Sequence, residues 1–82
     1  MTDVAQTIKS YILRELLPGV DPDELTAETE LIATRILDSL SILRLRAYLE
    51  EEYGIEIGGH ELDFDNFGTI ADVEALVRSR LG

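Results

Sequence analysis

Asp38-Ser39 precedes a stretch of helical apolar periodicity, and a serine in that place has two chemical outlets. The first backbone N–H groups of a helix have no intrahelical partner, and the positive end of the helix dipole favours a phosphate. A phosphodiester on the Ser39 hydroxyl would therefore be well placed. The other reading is a plain helix cap, and helix physics taken alone favours the cap. Direct catalysis by Ser39 finds little support. No histidine lies near it in sequence, the Gly-x-Ser-x-Gly elbow is absent, and the sole histidine, His60, follows two glycines in an expected exposed loop. If Ser39 is modified, a separate enzyme must do it.

The other chemistry-bearing residues exclude more than they offer. Without cysteine there is no disulfide framework, no thiolate zinc site and no thiol nucleophile. An acidic stretch beginning at Asp63 approaches a calcium loop, with Asp65, Gly68, Ile70 and Glu74 at suitable spacing. Phe67 falls where an oxygen ligand is needed, and Thr69 and Asp72 read better as helix caps. Calcium binding is thus a minor alternative.

Net charge is −10, from 17 acidic against 7 basic residues. Such a field repels nucleic acid and anionic lipid and steers the chain toward electropositive partners, although solubility alone also explains it. No apolar run approaches membrane-spanning length, and the acidic residues Asp3 and Glu15 argue against a secretory signal. The expectation is a cytoplasmic monomer that neither binds nucleic acid nor inserts into a membrane. At 82 residues the chain has room for one domain, taken as 1–82, with one modest core and no deep cleft.

The elements that must position Ser39 read as helices. Val4, Ile8, Ile12 and Leu16 recur every four residues; Thr2 or Asp3 can cap this first helix, and Leu17-Pro18-Gly19 ends it. A long connection, Pro18 to Asp38, comes next, with Leu25, Leu31 and Ile32 expected to dock on the core. The second helix is predicted from Asp38 to Tyr53, stopped by Gly54. A short piece spans Glu61 to Asn66. Thr69 caps the last helix, whose stripe is Ile70, Val73, Val77 and Leu81. No strand pattern is present. The predicted fold is all-α: a bundle of three long helices and one short one, with a long loop between helices one and two.

The second helix carries two apolar faces. Ile42, Leu45, Leu49 and Tyr53 share a narrow arc, the obvious core face. Leu40, Leu43 and Ala47 cluster on roughly the opposite side, beside Ser39 and mixed with Arg44. Either the long connection covers this second set, or it is a docking patch with an apolar centre and a charged rim. Glu50-Glu51-Glu52 reads as a solvated face.

Leu37-Asp38-Ser39-Leu40 resembles the Asp-Ser-Leu attachment motif of acyl and peptidyl carrier proteins. The resemblance continues through Leu45, Leu49 and Glu50–Ile57, and into Phe64-Asp65-Asn66-Phe67-Gly68-Thr69-Ile70. Upstream, the residues before Asp38, with the Leu25-Thr26 and Thr29-Glu30-Leu31 spacing, fit the family's first helix and long loop, so nearly the whole chain is covered. The resemblance implies a four-helix, non-catalytic carrier whose serine, here Ser39, receives 4′-phosphopantetheine from coenzyme A through a phosphopantetheinyl transferase. The arm's thiol then holds cargo as a thioester. It also implies a partner-recognition surface at Asp38, Leu40, Leu43, Arg44 and Ala47. Implied partners are an acyl- or aminoacyl-activating (adenylation) enzyme and downstream synthase or tailoring enzymes.

Two departures from the family pattern stand out, and the second bears on partner choice. Arg35 stands where many relatives have glycine, and Arg44 and Arg46 lie in a helix that is strongly acidic in fatty-acid-synthesis carriers. The string Ile36–Ile42 is closer to stand-alone carriers of specialised polyketide or nonribosomal peptide metabolism. An acidic helical adaptor with no prosthetic group shares the predicted fold and differs in leaving Ser39 unmodified.

Overall fold

The first helix, α1, runs from Val4 to Tyr11 and continues without a break as one wider π-helical turn, Ile12–Leu16. The structure is a computed structural model and describes residues 3–81. Asp3 caps α1 by accepting a hydrogen bond from the Ala5 N–H (3.0 Å); Thr2, the other expected cap, lies outside the described residues. Val4, Ile8 and Ile12 are buried as their four-residue spacing predicts, and Tyr11 joins them. The Leu17 N–H donates to the Ile12 carbonyl (2.9 Å), five residues back, and the helix then ends at Pro18.

The long connection is irregular but fastened. Asp21 caps a short 3-10 turn, Pro22–Glu24. Leu25, Leu31 and Leu37 are buried, with Ile32 and Ile36 half-buried against the same core. The Leu31 N–H donates to the Gly68 carbonyl (2.7 Å), and the Ala71 N–H donates to the Ala27 carbonyl (3.0 Å). These bonds satisfy backbone groups that a buried loop would otherwise leave unpaired, and they tie the connection to the far end of the chain.

Helix α2 spans Ser41–Tyr53, three residues later than the predicted start at Asp38, because the segment 38–40 forms a tight turn instead. Gly54 ends α2 in the left-handed conformation (φ 64°), as its position suggested. A 3-10 turn, Gly59–Glu61, leads into α3, Phe64–Phe67, so the short helix lies further along than the predicted Glu61–Asn66. Asp63 sets that later start by accepting hydrogen bonds from the Asn66 N–H (3.0 Å) and its side-chain amide (3.1 Å). Helix α4, Ile70–Leu81, begins where the Thr69 hydroxyl accepts the Asp72 N–H (3.1 Å).

Helices α1 and α4 pack on each other, and α2 contributes Leu45 and Leu49 to the core they share. Tyr11 of α1 stacks on Tyr48 of α2, ring centroids 4.5 Å apart. Ile70, Val73 and Val77 are buried as predicted. Leu81 is half-exposed at the end of α4, and Leu76 takes the fourth core position instead. Ile42 and Tyr53 are only partly covered, which narrows the core face of α2. Glu50 is not simply solvated: its carboxylate accepts the Ile57 N–H (2.9 Å) and lies 3.6 Å from the Arg46 guanidinium. Among the described residues there is no strand; Ile55 and Ile57 are buried in an irregular segment.

Candidate functional site

The turn before α2 is built by Asp38 and Ser41. One Asp38 carboxylate oxygen accepts hydrogen bonds from the Leu40 N–H (3.0 Å), the Ser41 N–H (2.8 Å) and the Ser41 hydroxyl (3.0 Å). In return the Ser41 hydroxyl oxygen accepts the Asp38 N–H (2.8 Å). The Ser41 backbone bond, then its hydroxyl, then the Leu40 N–H hold the Asp38 carboxyl below its usual range. Asp38 is therefore the cap that its residue type predicted, although the regular helix starts later.

Ser39 lies between these two residues and shares none of their bonds. Its side chain is exposed and makes no hydrogen bond among the described residues. Asp38 with Ser41 thus closes the turn, and Ser39, spent on neither bond, projects from it. Among the described residues no side chain hydrogen-bonds the Ser39 hydroxyl as an activating base would. His60 is exposed beyond the α2 end, among residues that do not line the Ser39 groove.

Ser39 opens onto a groove of about 470 Å³ between the connection, the start of α2 and the segment leading into α3. Its walls are apolar, from Ile32, Leu37, Ile42, Leu62 and Phe64, and its polar rim is Arg35, Asp38, Ser39 and Asp63. A flexible, mostly uncharged pantetheine chain rooted at Ser39 fits such a surface, since it can lie on apolar walls while its root stays in water. The half-coverage of Ile42 has its reason here: part of its side chain faces this groove.

The second apolar face of α2 is open to solvent. Leu40 is 62% exposed and Leu43 48%, with Arg44 and Ala47 exposed beside them, so the long connection does not cover this face. Phe64, 64% exposed on α3, extends the patch across the groove. The sequence offered no sign of this, because a one-turn helix shows no periodicity from which to assign a face. Ser41 was more legible: Asp-x-x-Ser has the spacing of a reciprocal capping box, with the residue types exchanged.

The cations divide. Arg46 turns to Glu50 and is half-buried, whereas Arg44 stays exposed. Arg35 adopts φ 64°, the left-handed region in which a Cβ is unfavourable and glycine is at ease. The stretch that suggested a calcium loop folds instead as α3 and the first turns of α4. Phe67 is fully buried, Asp63 is spent as a cap, and Glu74 bonds to Arg78 (3.0 Å). Among the described residues no group of His, Asp or Glu is placed to hold a metal ion, and no helix is long and apolar enough to cross a membrane.

Residues 6–77 match the family described as the phosphopantetheine attachment site. Acyl carrier proteins are similar over most of their length. That of Zymomonas mobilis is 31% identical, covering 94% of each chain. That of Thermotoga maritima is 29% identical over 98% of this chain and 94% of its own. That of Bdellovibrio bacteriovorus is 34% identical over 89% and 88%. Among solved structures, a chain in the crystal structure described as that of a FAD-dependent dehydrogenase superposes with a TM-score of 0.78 at 36% identity. The match covers 85% of this chain and 97% of that one, so the matched chain is itself small.

Proposed function

The chain belongs to the phosphopantetheine attachment family, whose members carry a covalent 4′-phosphopantetheine, and on that premise we propose that Ser39 is its attachment point. The observation that carries this reading is the division of labour in the turn. Asp38 and Ser41 satisfy one another, leaving Ser39 exposed and unbonded at the mouth of an apolar groove. The carrier itself performs no bond chemistry. A phosphopantetheinyl transferase supplies the arm, whose thiol holds cargo as a thioester. Asp38, Leu40, Leu43, Arg44 and Ala47, together with Phe64, form the surface that partner enzymes meet.

The finer reading is a carrier of specialised polyketide or nonribosomal peptide metabolism, presenting an acyl or aminoacyl group to separate enzymes. Exposed Arg44 supports it, because a cation at the rim of the docking face selects against the strongly basic partner surfaces that suit an acidic helix. The likeness to a small chain in a FAD-dependent dehydrogenase structure supports such an enzyme among the partners. It would take two hydrogens from the tethered group onto its own flavin.

Intact-mass spectrometry after incubation with coenzyme A and a promiscuous phosphopantetheinyl transferase tests the attachment. The expected result is one added arm, absent in Ser39→Ala and retained in Ser41→Ala. No gain across several transferases would instead indicate an unmodified helical adaptor. Loading assays with panels of amino-acid-activating and acyl-activating enzymes then separate peptidyl from acyl cargo.

A further inference from the structure

Seven cations stand against 17 carboxylates in this chain, and most are neutralised internally. Arg14, Arg46, Arg78 and Arg80 each have a carboxylate partner. Arg35 has none among the described residues, and its side chain makes no hydrogen bond there either. Its backbone is nevertheless held at φ 64°, which disfavours any residue with a Cβ. The fold therefore gains nothing visible from an arginine side chain at a position where glycine would sit without strain.

Among the described residues, Arg35 is also the one cation lining the groove onto which Ser39 opens. The same rim holds the carboxylates of Asp38 and Asp63, both fixed as helix caps. A phosphodiester on Ser39 places a third negative charge there, on a chain whose net charge is already −10. A guanidinium fork is the side chain best matched to the paired oxygens of a phosphate.

We propose that Arg35 is a positioning residue for the prosthetic arm: its guanidinium pairs with the phosphodiester on Ser39 and holds the root of the arm over the groove. The inference rests on Ser39 as the attachment point. It gives Arg35 a role distinct from partner docking: the residue organises the loaded carrier before any enzyme arrives. The pairing is solvent-exposed, so it weakens as salt rises.

The test uses unloaded and loaded forms of the wild type, Arg35→Gln and Arg35→Lys. All three residues carry a Cβ, so backbone strain is matched. Intact mass, with Ser39→Ala as control, first establishes the arm and its site. Loading should then shift the Arg35 Nε–Hε resonance while leaving those of Arg78 and Arg80 in place. The phosphorus resonance of the loaded wild type should differ from that of Arg35→Gln at low salt and converge with it at high salt. In urea titrations, loading should favour the folded wild type over Arg35→Gln by about 1.4- to fivefold in the folding equilibrium constant, the range of an exposed ion pair. Arg35→Lys, which keeps the charge without the fork, should fall between. An unmoved Arg35 resonance with equal loading effects in the wild type and Arg35→Gln overturns the pairing. Failure to load, or loading that survives Ser39→Ala, overturns the attachment reading and removes the pairing with it.

Discussion

Asp38 and Ser41 hold each other in a reciprocal pair, each backbone N–H donating to the other's side chain at 2.8 Å. This pair frees Ser39. A helix entrance with only one polar residue would have to spend it on the orphan amides, and the hydroxyl proposed for attachment would be occupied. Two residues later a second serine takes the structural role, so the first can project into solvent without cost to the turn.

Ser41→Ala should therefore destabilise the protein by about 1 kcal/mol, the usual cost of losing a helix cap. Ser39→Ala should leave the urea midpoint nearly unchanged. The two variants should show the opposite order in loading, where Ser41→Ala still accepts the arm. Equal destabilisation by both would mean that Ser39 shares in the cap.

The exposed apolar patch makes a second contrast. Leu40→Asp, Leu43→Asp and Phe64→Asp remove side chains that are about half or more exposed, so helical circular dichroism should persist. Recognition by the transferase or by loading enzymes should fall, most of all when two of the three are combined. Leu45→Ala, on the buried face of the same helix, should cost about 2–5 kcal/mol. Unfolding by Leu40→Asp would place that residue in the core and remove the two-face description of α2.

Much of this architecture is legible in the sequence because it depends on period and punctuation. The four-residue repeat of Val4, Ile8 and Ile12 marks α1, and Gly54 marks the end of α2. Thr69 marks the start of α4. Ser39 and the outward placement of Leu40 and Leu43 can be read from the Asp-Ser-Leu register and the helical wheel. The groove cannot. It is assembled from residues of the long connection, α2 and the approach to α3, and the long-range hydrogen bonds from Leu31 to Gly68 and from Ala71 to Ala27 that fasten the connection leave no local pattern. The role of Glu50 is hidden for the same reason, since its partner at Ile57 lies beyond a helix end and a glycine turn.

Arg35→Gly should stabilise the unloaded protein. Relief of a left-handed residue bearing a Cβ contributes roughly 1–2 kcal/mol, and the greater freedom of glycine in the unfolded chain takes back about 0.5–1 kcal/mol. The expected net gain is about 0.5–1 kcal/mol in urea denaturation. A loss of stability would show that the Arg35 side chain supports the fold directly.

Acid titration isolates a contact at the other end of the molecule. The Arg80 guanidinium donates two hydrogen bonds to the Glu61 carboxylate, one of them at 2.9 Å, and a third to the Glu56 carbonyl at 3.0 Å. The Gly58 N–H adds another to Glu61 (2.9 Å). Arg80, and then the Gly58 amide, hold the Glu61 carboxyl at about 2, against an ordinary value of 4.5. Above 4.5 the carboxylate is ionised in both folded and unfolded chains, and its stabilising contribution is complete. As pH falls below that value the unfolded chain binds the proton first, so stability declines until the folded carboxyl also protonates near 2. Urea midpoints measured down this range should fall more steeply for the wild type than for Glu61→Gln, with Arg80→Gln closer to the variant. Asp38, also held low, adds to the slope in its lower part and survives in both variants. Parallel curves for the wild type and Glu61→Gln would show that the Arg80 contact does not shift the carboxyl in solution.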